Sequence, residues 1–167
     1  DWEGWYGVKD LPVFKENEHG YVDPEVRKHI FAITRRWMDP NGDGDPSDGI
    51  DGWRLDVPNE VSSEFWREWR KLVKSINPNA LIMGEIWDPP KPWLQGDQFD
   101  CVMNYQFAKA LMRFYANNGT ASRLASDIAK MLFDIPEQSN YVMMNLLDSH
   151  DTDRLASQLF NPGREYD

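Results

Sequence analysis

The chain has 167 residues, enough for one domain with a real core, and a formal net charge of −10. That acidity argues against nucleic acid or an anionic membrane as partner and suits neutral ligands or divalent cations. The single Cys101 excludes an internal disulfide, and no run is apolar enough to span a bilayer.

Residues 1–22 mix Gly, aromatics and charge without a clear period and read as a loop, or as the tail of an inserted subdomain. The chain opens on Asp1-Trp2-Glu3 rather than on a Met, so localisation, cytoplasmic or secreted, stays open. Asp23 then has the character of an N-cap, with Pro24 at the first helical position and Val26, Ile30, Ile33 and Trp37 at helical spacing. Asp39-Pro40 stops that helix, a Gly/Asp-rich loop covers 39–49, and a strand covers about 50–56. The next helix places Phe65, Trp69, Leu72 and Ile76 on one face and ends at Asn77-Pro78. Residues 80–86 form a nearly continuous apolar run, the pattern of a parallel strand covered on both faces. A short strand at 99–103 precedes helical patterns near 106–116 and 121–134, split by Asn117-Asn118-Gly119, and 141–147 reads as a last strand. Regular strand–helix alternation predicts an α/β fold of parallel β/α units. Four strands are too few to close an eight-stranded barrel, which typically takes about 250 residues, so the chain is a small open sheet or a piece of a larger barrel.

Three acidic stretches stand at or near the ends of these strands: Gly52-Trp53-Arg54-Leu55-Asp56, Met83-Gly84-Glu85-Ile86-Trp87 and Leu147-Asp148-Ser149-His150-Asp151. Parallel strands would bring the three carboxylates to one side of one sheet, and converging carboxylates are what glycosidic-bond cleavage needs. Arg54 and Asp56, two apart on a strand, point the same way, and an Arg beside an Asp keeps the carboxylate ionised and oriented, as suits a nucleophile. For that motif alone, a structural ion pair is the plainer account. Glu85 ends an apolar strand, and partial withdrawal from water suits a proton donor. An exposed strand-terminal Glu without a role is the alternative. Trp87 offers an aromatic wall beside it. His150 has no second His at ligand spacing, so it suits a bond to a substrate hydroxyl better than a zinc site. The eight Trp exceed what a core of this size needs and, as a set, suit stacking on sugars, although each one alone reads as packing.

The loop Asp39-Pro40-Asn41-Gly42-Asp43-Gly44-Asp45-Pro46-Ser47-Asp48 sets oxygens at alternate positions, similar to the first half of an EF-hand calcium loop. Asp39, Asn41, Asp43, Asp45 and Asp48 are thus candidate Ca²⁺ ligands. The twelfth position is Ile50 rather than the bidentate Glu, and an Asp/Gly turn joining helix to strand is the competing account.

Taken in order, these motifs resemble the catalytic barrel of the α-amylase family, glycoside hydrolase family 13. Asp51-Gly52-Trp53-Arg54-Leu55-Asp56 is similar to the segment bearing the nucleophile. Gly84-Glu85-Ile86-Trp87 is similar to the acid/base segment, and Ser149-His150-Asp151 to the one bearing the transition-state-stabilising Asp. Leu11-Pro12-Val13-Phe14 is a weaker match to a motif near the end of the subdomain inserted after the third strand. Val57-Pro58-Asn59-Glu60-Val61 and Gly96-Asp97-Gln98-Phe99-Asp100 resemble the neopullulanase, cyclomaltodextrinase and maltogenic amylase group, which usually has Ala where this chain has Pro58.

The resemblance implies a partial (β/α)8 barrel, roughly strands 4 to 7 with their helices, residues 1–22 being the subdomain tail and 23–167 the central barrel. It implies a retaining hydrolase or transglycosylase of α-glucans. Asp56 is then the nucleophile, Glu85 the acid/base and Asp151 the stabiliser, with Arg54, His150, Trp87, Asn59 and Glu60 binding substrate. An α-glucan oligosaccharide or polysaccharide is the expected partner, no organic cofactor is implied, and the parent protein is expected to be a homodimer. The Asp and His of the third strand, the first strands and everything beyond the seventh are not in this chain, so the segment alone is expected to be inactive. The rival is a non-catalytic carbohydrate-binding or transporter-associated relative on the same scaffold. Retention of all three carboxylates argues against it. An unrelated calcium-dependent binding module rests on the Asp-rich loop alone.

Overall fold

The computed structural model describes residues 2–116 and 118–160. Residues 161–167, the last stretch assigned above to the barrel, and Asn117 of the turn between two helices lie outside the described residues. Chain contacts divide the protein into two compact units, Asp1–Trp53 with Asn59–Ala80, and Arg54–Pro58 with Leu81–Asp167.

The first unit is built on helices α1 (Pro24–Met38) and α2 (Ser63–Ile76). Asp23 caps α1 by accepting from the Glu25 N–H at 2.9 Å, with Pro24 at its first position, and Ser62 caps α2 at the Phe65 N–H. The core between them is aromatic. Phe31, Phe65, Trp66, Trp69 and Trp53 form a chain of edge and tilted contacts with ring centroids 5.0–6.0 Å apart. Two faces differ from the expected ones. On α2 the buried residues are Phe65, Trp66, Trp69 and Val73, with Leu72 and Ile76 half-buried. On α1 they are Thr34 and Met38, while Trp37 is exposed. A polar bond explains the second shift: the Trp69 indole N–H donates to the Thr34 hydroxyl at 2.8 Å, which draws Thr34 inward and turns Trp37 out. Residues 2–22 carry a short 3₁₀ turn, Trp5–Gly7, and two isolated antiparallel bridges, Gly4 to Pro12 and Glu16 to Val22.

The second unit holds the sheet, in the order β1 (Gly52–Leu55), β2 (Leu81–Gly84) and β3 (Cys101–Val102), with the Arg54–Leu55 half of β1 belonging to this unit. Strands β2 and β3 are parallel, in register Met83 to Cys101 and Gly84 to Val102. Helices α3 (Tyr105–Tyr115) and α4 (Ala121–Asp134) follow and pack together, then α5 (Glu137–Asn140) and α6 (Leu155–Phe160). The expected strand at 141–147 is not formed. That stretch makes one parallel bridge, Met144 to Met103, with two backbone bonds, Met144 N–H to the Val102 carbonyl and Asn104 N–H to the Met144 carbonyl. The ladder stops because its partner does: Asn104 leaves the strand to cap α3, its side chain accepting from the Phe107 N–H at 3.2 Å. Asn104 also donates to Asn145 Oδ1 at 2.8 Å, tying the two segments by side chains where the backbone ladder ends. Among the described residues no helix is long and apolar enough to cross a membrane.

Candidate active site

Asp56 and Glu85 each come immediately after a strand, β1 and β2, and Glu85 N–H donates to the Leu55 carbonyl at 3.0 Å, which locks the two strand ends side by side. Gly84 lets the end of β2 approach the core, since a Cβ there would stand 2.7 Å from the Phe99 ring, itself 1% exposed. Past the strand ends the surroundings diverge. The Asp56 side chain is 74% exposed, whereas Glu85 is 3% exposed.

Arg54 joins the two. Its Nη1 pairs with Asp56 Oδ1, and its Nη2 lies 2.9 Å from Glu85 Oε1. One planar fork therefore faces both carboxylates, a geometry that a lysine point charge does not offer. Two further groups hold Glu85. Val57 N–H donates to Glu85 Oε2 at 3.3 Å, from a residue with φ of 42°, an uncommon conformation for a β-branched side chain. The Tyr105 hydroxyl lies 3.4 Å from Glu85 Oε1 and 3.1 Å from Ser149 Oγ. Burial raises the Tyr105 phenol above its ordinary range, the Ser149 bond opposes this, and the nearby carboxylates Glu85 and Asp151 add to the rise. It therefore stays a neutral hydroxyl across the working pH range.

Ser149 carries the arrangement to the third motif, because its Oγ also accepts from the Asp151 N–H at 3.2 Å. Asp151 Oδ2 lies 3.0 Å from His150 Nε2, with both side chains largely solvent-facing. Trp87 stacks on Tyr105 with centroids 3.8 Å apart and planes at 11°, and it packs on the cluster of Met103, Tyr105, Ala108 and Leu146. Arg54, Asp56, Glu85, Trp87, His150 and Asp151 thus all belong to the second unit. Asn59 and Glu60 belong to the first unit, where Asn59 Nδ2 donates to Glu60 Oε1 at 3.0 Å.

The acidic loop turns its oxygens on itself. Asp39 accepts from the Gly42 and Gly44 N–H groups, Asn41 from Asp43 N–H, Asp43 from Asp45 N–H, and Asp45 from Ser47 N–H. Asp48 closes a 3₁₀ turn and is exposed. Among the described residues no group of three or more His, Cys, Asp or Glu is placed to hold a metal ion.

Sequence reasoning missed Val57, Tyr105 and Ser149 as supports of Glu85. Tyr105 left no signal, since a Tyr opening a helix is ordinary. The spacing pairs Arg54 with Asp56, and the resemblance adds substrate binding; its second carboxylate, Glu85, is 31 residues away along the chain.

Carboxylates held side by side where neighbouring strands end are the constellation of an enzyme that cleaves glycosidic bonds. Residues 11–166 match the family model described as "Alpha amylase, catalytic domain". Neopullulanase 2 of Thermoactinomyces vulgaris is 43% identical over 172 residues, spanning 93% of this chain and 28% of that protein. Cyclomaltodextrinase of a Bacillus species is 46% identical over 136 residues, spanning 81% of this chain and 23% of that protein. Among solved structures, the cyclic α-maltosyl-(1→6)-maltose hydrolase from Arthrobacter globiformis in complex with maltose superposes with a TM-score of 0.82 at 38% identity. That match covers 95% of this chain and 33% of the hydrolase. The chain belongs to the α-amylase family, glycoside hydrolase family 13, and spans a third or less of the length of these relatives.

Proposed function

We propose that this segment carries the catalytic carboxylates of a retaining hydrolase or transglycosylase acting on α-glucosidic bonds in starch-derived oligosaccharides, cyclodextrins or pullulan. The observation that carries the reading is the Arg54 guanidinium shared by Asp56 and Glu85. One fork keeps the two carboxyls neighbours, as the double displacement of a retaining enzyme, with its pair about 5–5.5 Å apart, requires. Asp56, exposed and oriented by Arg54, attacks the anomeric carbon while the bond to the leaving oxygen breaks. Glu85 gives its proton to that oxygen, and a glycosyl ester on Asp56 results. Glu85 then takes a proton from water or an acceptor sugar, which displaces Asp56 and restores both groups. Asp151 faces the positive charge that develops on the sugar ring, and His150 hydrogen-bonds a hydroxyl. Trp87 lines the acceptor side.

Every relative reported above is named as an enzyme, which gives the non-catalytic alternative no support. Proton NMR on the full-length protein tests the reading. Freshly cleaved maltodextrin should first show the α-anomer at the new reducing end, and an initial β-anomer would reject the double displacement.

A Ca²⁺ ion in the 39–48 loop and a homodimeric parent belong to the same proposal. The oxygen spacing supports the metal, which would have to draw Asp39, Asn41, Asp43 and Asp45 off the loop amides. Ligand binding to the folded state alone raises stability. The full-length protein should therefore melt higher in calcium than in chelator, and equal melting temperatures would remove the metal.

A further inference from the structure

The loop that presents Asp151 is closed at its base by side chains the mechanism above does not use. Asp148 Oδ2 accepts from the Leu155 N–H at 2.9 Å, and Asp148 Oδ1 from Arg154 Nη1 at 3.0 Å. Arg154 Nη1 also donates to the Ser149 carbonyl at 2.9 Å. Inside the loop, Ser149 N–H donates to Thr152 Oγ1 at 2.7 Å, and Asp151 N–H to Ser149 Oγ. Asp148, two residues before His150, is thus bonded across to Arg154 and Leu155, which end the loop, and Ser149 in between is held by the same guanidinium.

We propose that Asp148 and Arg154 form a clamp that sets the position of Asp151; both are positioning residues, neither touching the reacting atoms. The proposal rests on the assignment of Asp151 as the group facing the developing positive charge. Three features favour this over a general contribution to folding. The Arg154 side chain is 63% exposed and that of Asp148 27%, and an ion pair whose cation is open to solvent adds little to stability. The bonds converge on the six residues between Asp148 and Leu155, where they restrict a loop rather than join distant elements. The path from Arg154 to Asp151 runs through Ser149, whose Oγ also meets the Tyr105 hydroxyl beside Glu85, so the clamp holds the third carboxylate in register with the second. The Leu155 amide and then Arg154 also hold the Asp148 carboxyl below its usual range, so the clamp is charged throughout the neutral range.

The test compares Asp148→Ala, Asp148→Asn, Arg154→Ala and Arg154→Lys in the full-length protein, with Asp151→Ala as control, using cyclodextrin hydrolysis and thermal melts. A misplacement of about 1 Å can cost on the order of 100-fold in rate, so Asp148→Ala and Arg154→Ala should each lower kcat about 10- to 100-fold. Loss of a transition-state contact should leave KM within about twofold. The melting temperatures should stay near the parent's, Asp148→Asn and Arg154→Lys should recover part of the loss, and the double alanine variant should be no slower than the worse single one. Parent-like kcat in the clamp variants, with Asp151→Ala inactive, overturns the clamp and leaves the catalytic reading standing. Parent-like kcat in Asp151→Ala overturns that reading and the clamp with it. A kcat loss that tracks an equal loss of folded protein would make the pair structural and reject positioning.

Discussion

Glu85→Gln in the full-length protein is expected to lower kcat by roughly 10²–10⁴-fold, the usual contribution of a general acid–base group, with a far smaller change in KM. The substitution is nearly isosteric, but an amide has one acceptor oxygen, so it can serve the Tyr105 hydroxyl and Arg54 on the Oε1 side or Val57 N–H on the Oε2 side, not both. What disappears is the transferable proton and the ionic half of the contact with Arg54. A substrate with an aryl leaving group, which departs without being protonated, should lose less in the glycosylation step than a cyclodextrin does. This difference separates loss of proton transfer from loss of structure. Turnover of cyclodextrin at the parental rate would remove Glu85 from the acid/base role.

The placement of Asp56 and Glu85 was legible because motif and strand end coincide: they follow the last residue of β1 and β2. Burial of Glu85 was legible too, from the apolar run that precedes it. What holds Glu85 was not. Tyr105 is 20 residues away, at the start of a helix, and nothing in its neighbours Asn104 and Gln106 says which strand end its hydroxyl will reach. The positive φ at Val57 is invisible for a different reason: β-branched side chains normally avoid it, so propensity points the wrong way and only the surrounding contacts impose it. The missing last strand shows the same limit. The apolar run at 141–147 suits a strand, but a strand needs a partner, and the partner ends at Asn104 to start α3. On α1 a polar bond from Trp69 to Thr34 outranked the apolar period that had put Trp37 inside. Spacing within one segment was readable. Bonds between segments distant in sequence were not.

Arg54 is the residue where both kinds of information meet, and its replacement should be the most damaging to structure and activity together. Glu85 is 3% exposed and pairs with Arg54, so Arg54→Ala leaves a buried carboxylate without an opposite charge, held only by Val57 N–H and the Tyr105 hydroxyl. Breaking a buried pair from one side costs about 3–5 kcal/mol; the Arg54 side chain is itself 33% exposed, so the lower end, about 3 kcal/mol, is expected. Arg54→Lys separates charge from geometry. An ammonium can pair with one carboxylate well, but it cannot reproduce the planar fork that faces Asp56 and Glu85 at once. The Lys variant should therefore recover much of the stability while kcat stays down, on the order of 100-fold, because nucleophile and acid/base are no longer held in a fixed relation. Denaturant melts and steady-state kinetics on the same two variants read the two effects separately. If Lys restored turnover to the parental level, charge alone would suffice, and the shared guanidinium could not be what sets the spacing of the two carboxylates.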